Sequence, residues 1–133
     1  IECLRARQYL KEIHIDAEVI DPVSLYPLDI NTILASVVKT KRLMVIDNAW
    51  MTCGAGAEII AQLIERNIPR DVVVKRMGFA SVPCPTTPSL EKHFYPDAKE
   101  IALNAYQMIF SDKKKWQPLT ELQIEEVEFK GPF

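Results

Sequence analysis

The chain has 133 residues, 48% of them hydrophobic and 26% charged, with a formal net charge of -2 and a pI near 5.7. That length is enough for one domain with a real core. No run approaches the roughly 20 apolar residues that a membrane span needs, and the mildly acidic balance gives no basis for binding a phosphate backbone. One domain with neither membrane nor nucleic acid as a partner is the expectation.

The sequence opens at Ile1 directly in a helical pattern, with no basic start followed by an apolar stretch. It reads as a piece of something longer. Cys3, Ala6, Leu10 and Ile13 recur at helical spacing among Arg5, Arg7, Lys11 and Glu12, which predicts an amphipathic helix. Ala17 to Ile20 is short and β-prone, and Asp21-Pro22 closes it, so it is expected to be a strand.

Ile30, Ile33, Leu34 and Val37 then follow the i, i+3, i+4, i+7 pattern of a second helix. Asp29 is placed to cap its free amides, and Lys39, Lys41 and Arg42 suit its C-terminal dipole. Leu43 to Ile46 is a continuous apolar run, expected to be a strand covered on both faces.

A third helix opens in Gly54-Ala55-Gly56-Ala57-Glu58, with Ile59, Ile60, Leu63 and Ile64 as its buried face. Pro69 ends that pattern, and Val72 to Val74 predicts another buried strand. From Gly78 to Pro88 three prolines make a stiff, extended loop. A short helix is expected at Ser89-Leu90-Glu91. After Pro96 a longer one is marked by Ile101, Ala105, Met108 and Ile109.

Alternation of helix and strand with short connections predicts an α/β fold, a three-layer α/β/α sandwich with a mostly parallel sheet. Three visible strands are few for such a sheet, and a first strand missing ahead of Ile1 is the simplest repair. The domain is expected to span residues 1–110. Residues 111–133, from Lys113-Lys114-Lys115 and Trp116 to Glu125-Glu126, Val127 and Phe129, lack core periodicity and read as a tail or arm.

Chemistry-bearing residues are sparse. Cys3, Cys53 and Cys84 have neither the short spacing of a metal site nor the density of a disulfide scaffold. They point to a reducing, cytoplasmic compartment and to buried or incidental thiols. His14 falls at a helix end and His93 beside Phe94 and Tyr95, so both read as structural.

The run Cys53-Gly54-Ala55-Gly56-Ala57 resembles half a nucleotide-binding loop, but Ile59 stands where a third glycine belongs. The favoured reading is that glycine lets the helix approach the sheet. Asp47, Asn48 and Trp50 follow the Leu43–Ile46 strand, at the end where doubly wound sheets bind ligands. A turn at Asp47 and Asn48, with Trp50 in a subunit contact, is the preferred reading.

The order of motifs resembles the C-terminal domain of the transketolase family, in particular that of the β subunit of pyruvate and branched-chain 2-oxo-acid dehydrogenases. The resemblance runs through Ala17-Glu18-Val19-Ile20-Asp21, Ser24-Leu25-Tyr26-Pro27-Leu28-Asp29 and Ile33 to Thr40. It continues through Leu43 to Asp47, Gly56-Ala57-Glu58-Ile59, and Arg76 followed by Val82-Pro83-Cys84-Pro85. It departs at Val23, where many relatives carry arginine, at Asp47-Asn48-Ala49, where an acid precedes glycines, and at Ser81, where aspartate is usual.

The resemblance implies a parent enzyme that uses thiamine diphosphate and Mg, both held by other domains, while this domain binds no cofactor and supplies subunit contacts. No family catalytic, cofactor or metal residue maps onto this chain. The implied partners are a second copy in a homodimer, the thiamine-binding domains or α subunit, and an acyltransferase core. Interface candidates are Asp47, Asn48, Trp50, Trp116 and Phe129. The alternatives are a small-ligand enzyme with its site at Asp47, Asn48, Gly54 and Gly56, and a docking module acting through the tail at Trp116 and Phe129.

Overall fold

The computed structural model describes residues 1–110 and 116–118. In chain order the elements are α1 (Glu2–Glu12), α2 (Ile30–Thr40), β1 (Arg42–Ile46), α3 (Ala55–Glu65), β2 (Val73–Met77), α4 (Pro88–Glu91) and α5 (Ala98–Phe110). The two strands pair in parallel, with Arg42 opposite Val73 and Ile46 opposite Met77. A parallel pair needs a crossover, and α3 supplies it.

Two apolar layers sandwich β1. Alternate residues of a strand point to opposite faces. Met44 and Ile46 accordingly pack with Ala6, Leu10, Ile101 and Tyr106 of α1 and α5. Leu43 and Val45 pack with Ile33, Val37, Ile59 and Leu63 of α2 and α3. The result is the expected α/β/α arrangement, with helices on both faces of a short parallel sheet.

Local chemistry sets the helix ends. The Asp29 carboxylate accepts from the Thr32 amide at 3.1 Å and from the Thr32 hydroxyl at 2.6 Å, capping α2. These bonds, that from the hydroxyl foremost, hold the Asp29 pKa below its ordinary value. Lys41 ends α2 in the left-handed region at φ 57° and lets the chain turn into β1.

Three expectations need correction. Ala17 to Ile20 is not in a ladder: residues 15–22 belong to no strand, because among the described residues no neighbouring strand lies in register to pair with them. Val73 and Val74 are 46% and 37% exposed, since among the described residues β2 has β1 on one side only and forms the sheet's edge. Ile64 is 60% exposed; the inward stripe of α3 is Gly56, Ile59 and Leu63, and Ile64 falls off it.

Candidate functional site

The C-terminal end of β1 leads into a turn built from tight backbone contacts. The Asp47 amide bonds to the Met77 carbonyl at 3.1 Å, and the Phe79 amide to the Ala49 carbonyl at 3.0 Å. The Arg76 guanidinium donates to the Met51 carbonyl at 2.7 Å. Two glycines make the turn possible. A Cβ on Gly54 would lie 2.3 Å from the Trp50 carbonyl oxygen, and one on Gly78 would lie 2.5 Å from the Ala49 carbonyl oxygen. Neither position admits a side chain without moving backbone.

This turn presents Trp50. Its ring meets Phe79 edge-on at 5.9 Å and Phe94 at 5.8 Å, while Phe79 and Phe94 stack at 4.6 Å. Tyr95 closes the group, edge-on to Phe79 at 5.3 Å and to Phe94 at 5.1 Å. Such offset and edge-on pairs are favoured beyond the area they bury. Phe94 is buried, whereas Trp50 remains 47% exposed and Met51 and Tyr95 are also open to solvent. A rigid aromatic plate is thereby half-sunk in the surface.

The Cys84 thiol borders this plate. Its negative charge once ionised, and its hydrogen bond with the Tyr95 hydroxyl, hold the Tyr95 pKa above the ordinary value. Cys53 and Cys84 are exposed, and Cys3 is half-buried, with burial pushing its thiol pKa up.

The structure brings Asp47 and Trp50 together around the same turn, with Asp47 half-buried and Asn48 exposed beside it. Trp116 lies elsewhere: its ring meets Tyr106 at 5.1 Å and packs against the α1–α5 core. Phe129 lies outside the described residues. Sequence reading paired Trp50 with neither Phe79 nor Tyr95. The signal available was four aromatics spread over three segments, which the fold joins through the bonds from the Phe79 amide to the Ala49 carbonyl and from the Ala80 amide to the Phe94 carbonyl.

Around Gly54 and Gly56 the end of β1 leaves a cavity of about 10 Å³, lined by Val45, Asp47, Trp50, Gly56 and Arg76 among others. That is room for roughly one water molecule and not for a phosphate. Gly56 faces Val45, whose Cγ1 would lie 3.1 Å from an added Cβ. This glycine serves helix–sheet contact, as the favoured sequence reading had it. His14 and His93 are exposed. Among the described residues no three of His, Cys, Asp and Glu converge on a metal position. No helix there is long and apolar enough to cross a membrane.

Residues 1–101 match the family model described as "Transketolase, C-terminal domain". The chain belongs to the transketolase C-terminal domain family. Curated relatives agree. The chain is 40% identical over 99 residues to the pyruvate dehydrogenase E1 component subunit beta, mitochondrial, of Pisum sativum, covering 74% of this chain and 28% of that protein. It is 37% identical over 99 residues to the acetoin:2,6-dichlorophenolindophenol oxidoreductase subunit beta of Bacillus subtilis, covering 74% and 29%. The human pyruvate dehydrogenase E1 component subunit beta is 36% identical over 101 residues, covering 74% and 28%. The chain thus spans less than a third of the length of these relatives. Within the family domain, the matched region takes in β1, the Trp50 turn, Phe79, Phe94 and Tyr95, and ends inside α5.

Proposed function

We propose that this family domain is a non-catalytic assembly unit of a thiamine-diphosphate enzyme of the 2-oxo-acid dehydrogenase β-subunit type, and that it pairs with a second copy through the Trp50 face. The observation that carries the reading is the aromatic plate: a large, half-exposed Trp held on a backbone that two glycines lock in place. Interface anchors are enriched in Trp and Tyr because they offer area at low entropy cost. A two-fold pair would set the same plate on both subunits.

The relatives' names, "component" and "subunit beta", are those of parts of larger assemblies, which supports an α subunit and an acyltransferase core as further partners. Thiamine diphosphate and Mg belong to other domains in this reading. The water-sized cavity at the end of β1 does not fit a diphosphate. The exposed thiols of Cys53 and Cys84 fit a reducing, aqueous compartment such as the cytoplasm.

Light scattering of the chain over a concentration series tests the pairing. A mass that rises to twice that of the chain, and falls back in Trp50→Ser, is the expected result. A monomer at every concentration up to several hundred micromolar would refute pairing through this face. Turnover of a 2-oxo acid by the chain with thiamine diphosphate and Mg would refute the non-catalytic role.

A further inference from the structure

The outer side of β2 is an open edge. The Val73 amide bonds to the Lys41 carbonyl, and the Met77 carbonyl accepts from the Asp47 amide, so these two residues turn their peptide groups to β1. The direction alternates along a strand. Val74 and Arg76 therefore turn theirs outward, where among the described residues no strand meets them. Val74 lies opposite Leu43 on the α2–α3 face, Val73 lies on the α1–α5 face, and both are exposed. Lys75 and Arg76 put one cation on each face of this edge. An apolar edge with free amides is a template for a further strand.

The chain carries a sequence that fits it. Residues 121–125 alternate as Glu, Leu, Gln, Ile, Glu, and residues 126–130 as Glu, Val, Glu, Phe, Lys. Period two is the pattern of a half-buried strand. The two halves are out of phase, so no single period runs through them. One β-bulge brings them into phase: an extra residue at Glu125–Glu126 sets both carboxylates on the same side. Leu122, Ile124, Val127 and Phe129 then share one face, and the glutamates share the other. The β2 strand offers Lys75 and Arg76 and no acid, and opposite charges across paired strands are favourable.

We infer that residues 121–130 form a bulged strand antiparallel to β2 on its free edge, so that the chain closes this side of its own sheet. Handedness sets the direction. The crossover from β1 to β2 carries α3 on the face shared with α2, whereas α5 lies on the opposite face with α1. A parallel strand beyond β2, reached through α5, would step the same way with its helix on the other face. That crossover would be left-handed, and parallel crossovers are right-handed almost without exception. Bulges too belong mainly to antiparallel pairs.

The path of the chain agrees. Arg42 Nε donates to the Met108 carbonyl, so α5 ends level with the start of the strands. Trp116 lies back on Tyr106, one turn before that end. The chain is thus heading for the Met77 end of β2, where an antiparallel strand must begin. Extended, residues 117–121 span up to about 17 Å, which matches the length of a five-residue strand.

The test is amide exchange by NMR on the isotopically labelled full chain, beside a variant carrying Val127→Pro and Glu128→Pro. Successive amides of a strand point to opposite sides, so one of the two prolines removes a donor to β2 in any register. The Val74 and Arg76 amides should exchange at least about tenfold faster in the variant, because an edge strand opens locally and without global unfolding. The Val73 amide, bonded to β1, should not change. In the parent chain the Hα of Val73 or Lys75 should show a nuclear Overhauser contact to an Hα within 122–129. Facing residues of an antiparallel pair that exchange no hydrogen bond approach to about 4.5 Å at Cα.

Unchanged exchange at Val74 and Arg76, with no such contact in the parent chain, would leave β2 a bare edge guarded by Lys75 alone and overturn the inference. Protection without the Hα contact would make the added strand parallel and overturn it as well. A contact found only between labelled and unlabelled chains in a mixture would assign the strand to a second copy and refute closure within one chain. None of these readouts involves Trp50, so the outcome stands apart from pairing through that face.

Discussion

Gly56 and Val45 are in contact across the helix–sheet boundary: a Cβ built on Gly56 would stand 3.1 Å from Val45 Cγ1 and 3.7 Å from its Cβ. That spacing sets how closely α3 seats on β1, and with it the position of the Trp50 turn between them. A β-branched residue at 56 must push the layers apart. Gly56→Val is expected to cost about 1–3 kcal/mol, as overpacking does. Val45→Ala in the same chain should return part of that loss, with a coupling of roughly 0.5–3 kcal/mol. Urea midpoints of the two single variants and the double variant measure it. Additive losses would mean that the layers do not meet at this pair.

Leu63 and Ile64 are sequence neighbours with opposite surroundings. Leu63 is fully buried in the α2–α3 layer, and Ile64 is 60% exposed. Leu63→Ala should therefore lose about 2–5 kcal/mol through transfer and cavity formation. Ile64→Ala should stay within about 0.5 kcal/mol of the parent, as surface changes do. Thermal and urea unfolding of both variants decide the matter, and comparable losses would place Ile64 in an interface.

Ile64 also shows where sequence reading stops. Periodicity located α1, α2, α3 and α5, and the cap at Asp29, because those signals are local. It could not choose between Ile60 and Ile64 as members of the α3 stripe. That choice depends on which face of α3 meets Val45, a tertiary fact. Ala17–Ile20 has the composition of a strand but forms none here, since a ladder needs a neighbour and composition cannot supply one. Val72 to Val74 looked covered, yet an edge strand and a central one share the same apolar run. Of the candidate site, the position of Trp50 after β1 was legible. Its partners Phe79, Phe94 and Tyr95 were not, because only the fold brings those segments together.

Trp50 projects half-exposed from a locked turn, and its ring meets the buried Phe94 edge-on. Trp50→Ser should leave the melting temperature within a few degrees of the parent. It should weaken self-association by at least about 30-fold, the equivalent of the roughly 2 kcal/mol that defines a hot spot. Sedimentation velocity and a thermal melt on the same sample separate the two effects. Equal association with lowered stability would make Trp50 a packing residue only.

The Glu18 carboxylate bonds to the Lys39 ammonium and the Ser36 hydroxyl on α2. Its pKa is lowered, chiefly by the hydrogen bond from Lys39, and that of Lys39 is raised, chiefly by the bond to Glu18. For Glu18 the stabilisation is complete above the unfolded carboxylate pKa of about 4.3 and fades as pH falls through the lower folded value. For Lys39 it is complete below the unfolded pKa of about 10.4 and fades as pH rises through the higher folded value. The pair thus holds Ala17–Ile20 against α2 across the neutral range. A carbon-detected NMR titration should show the Glu18 pKa rising in Lys39→Met. An unchanged value would mean that the pair does not form in solution. Because both groups are exposed, high salt should also raise the Glu18 pKa.

Trp116 bears on where the domain ends. Its ring meets that of Tyr106 tilted at 37° with centroids 5.1 Å apart, and Phe110 also meets Tyr106, at 4.7 Å. It also rests on the core shared by α1 and α5. A chain ending at Phe110 keeps every helix and strand among the described residues but uncovers Tyr106. Loss of an aromatic pair removes about 0.5–1.5 kcal/mol beyond the area term, so the truncated chain should remain folded with a melting temperature lower by several degrees. Trp116→Ala in the full chain should account for most of that drop. If the truncation unfolds the chain while Trp116→Ala does not, residues beyond Trp116 belong to the core and the boundary at 110 is wrong. If neither changes stability, the Trp116 contact contributes nothing to the fold, and Trp116 is available to a partner instead.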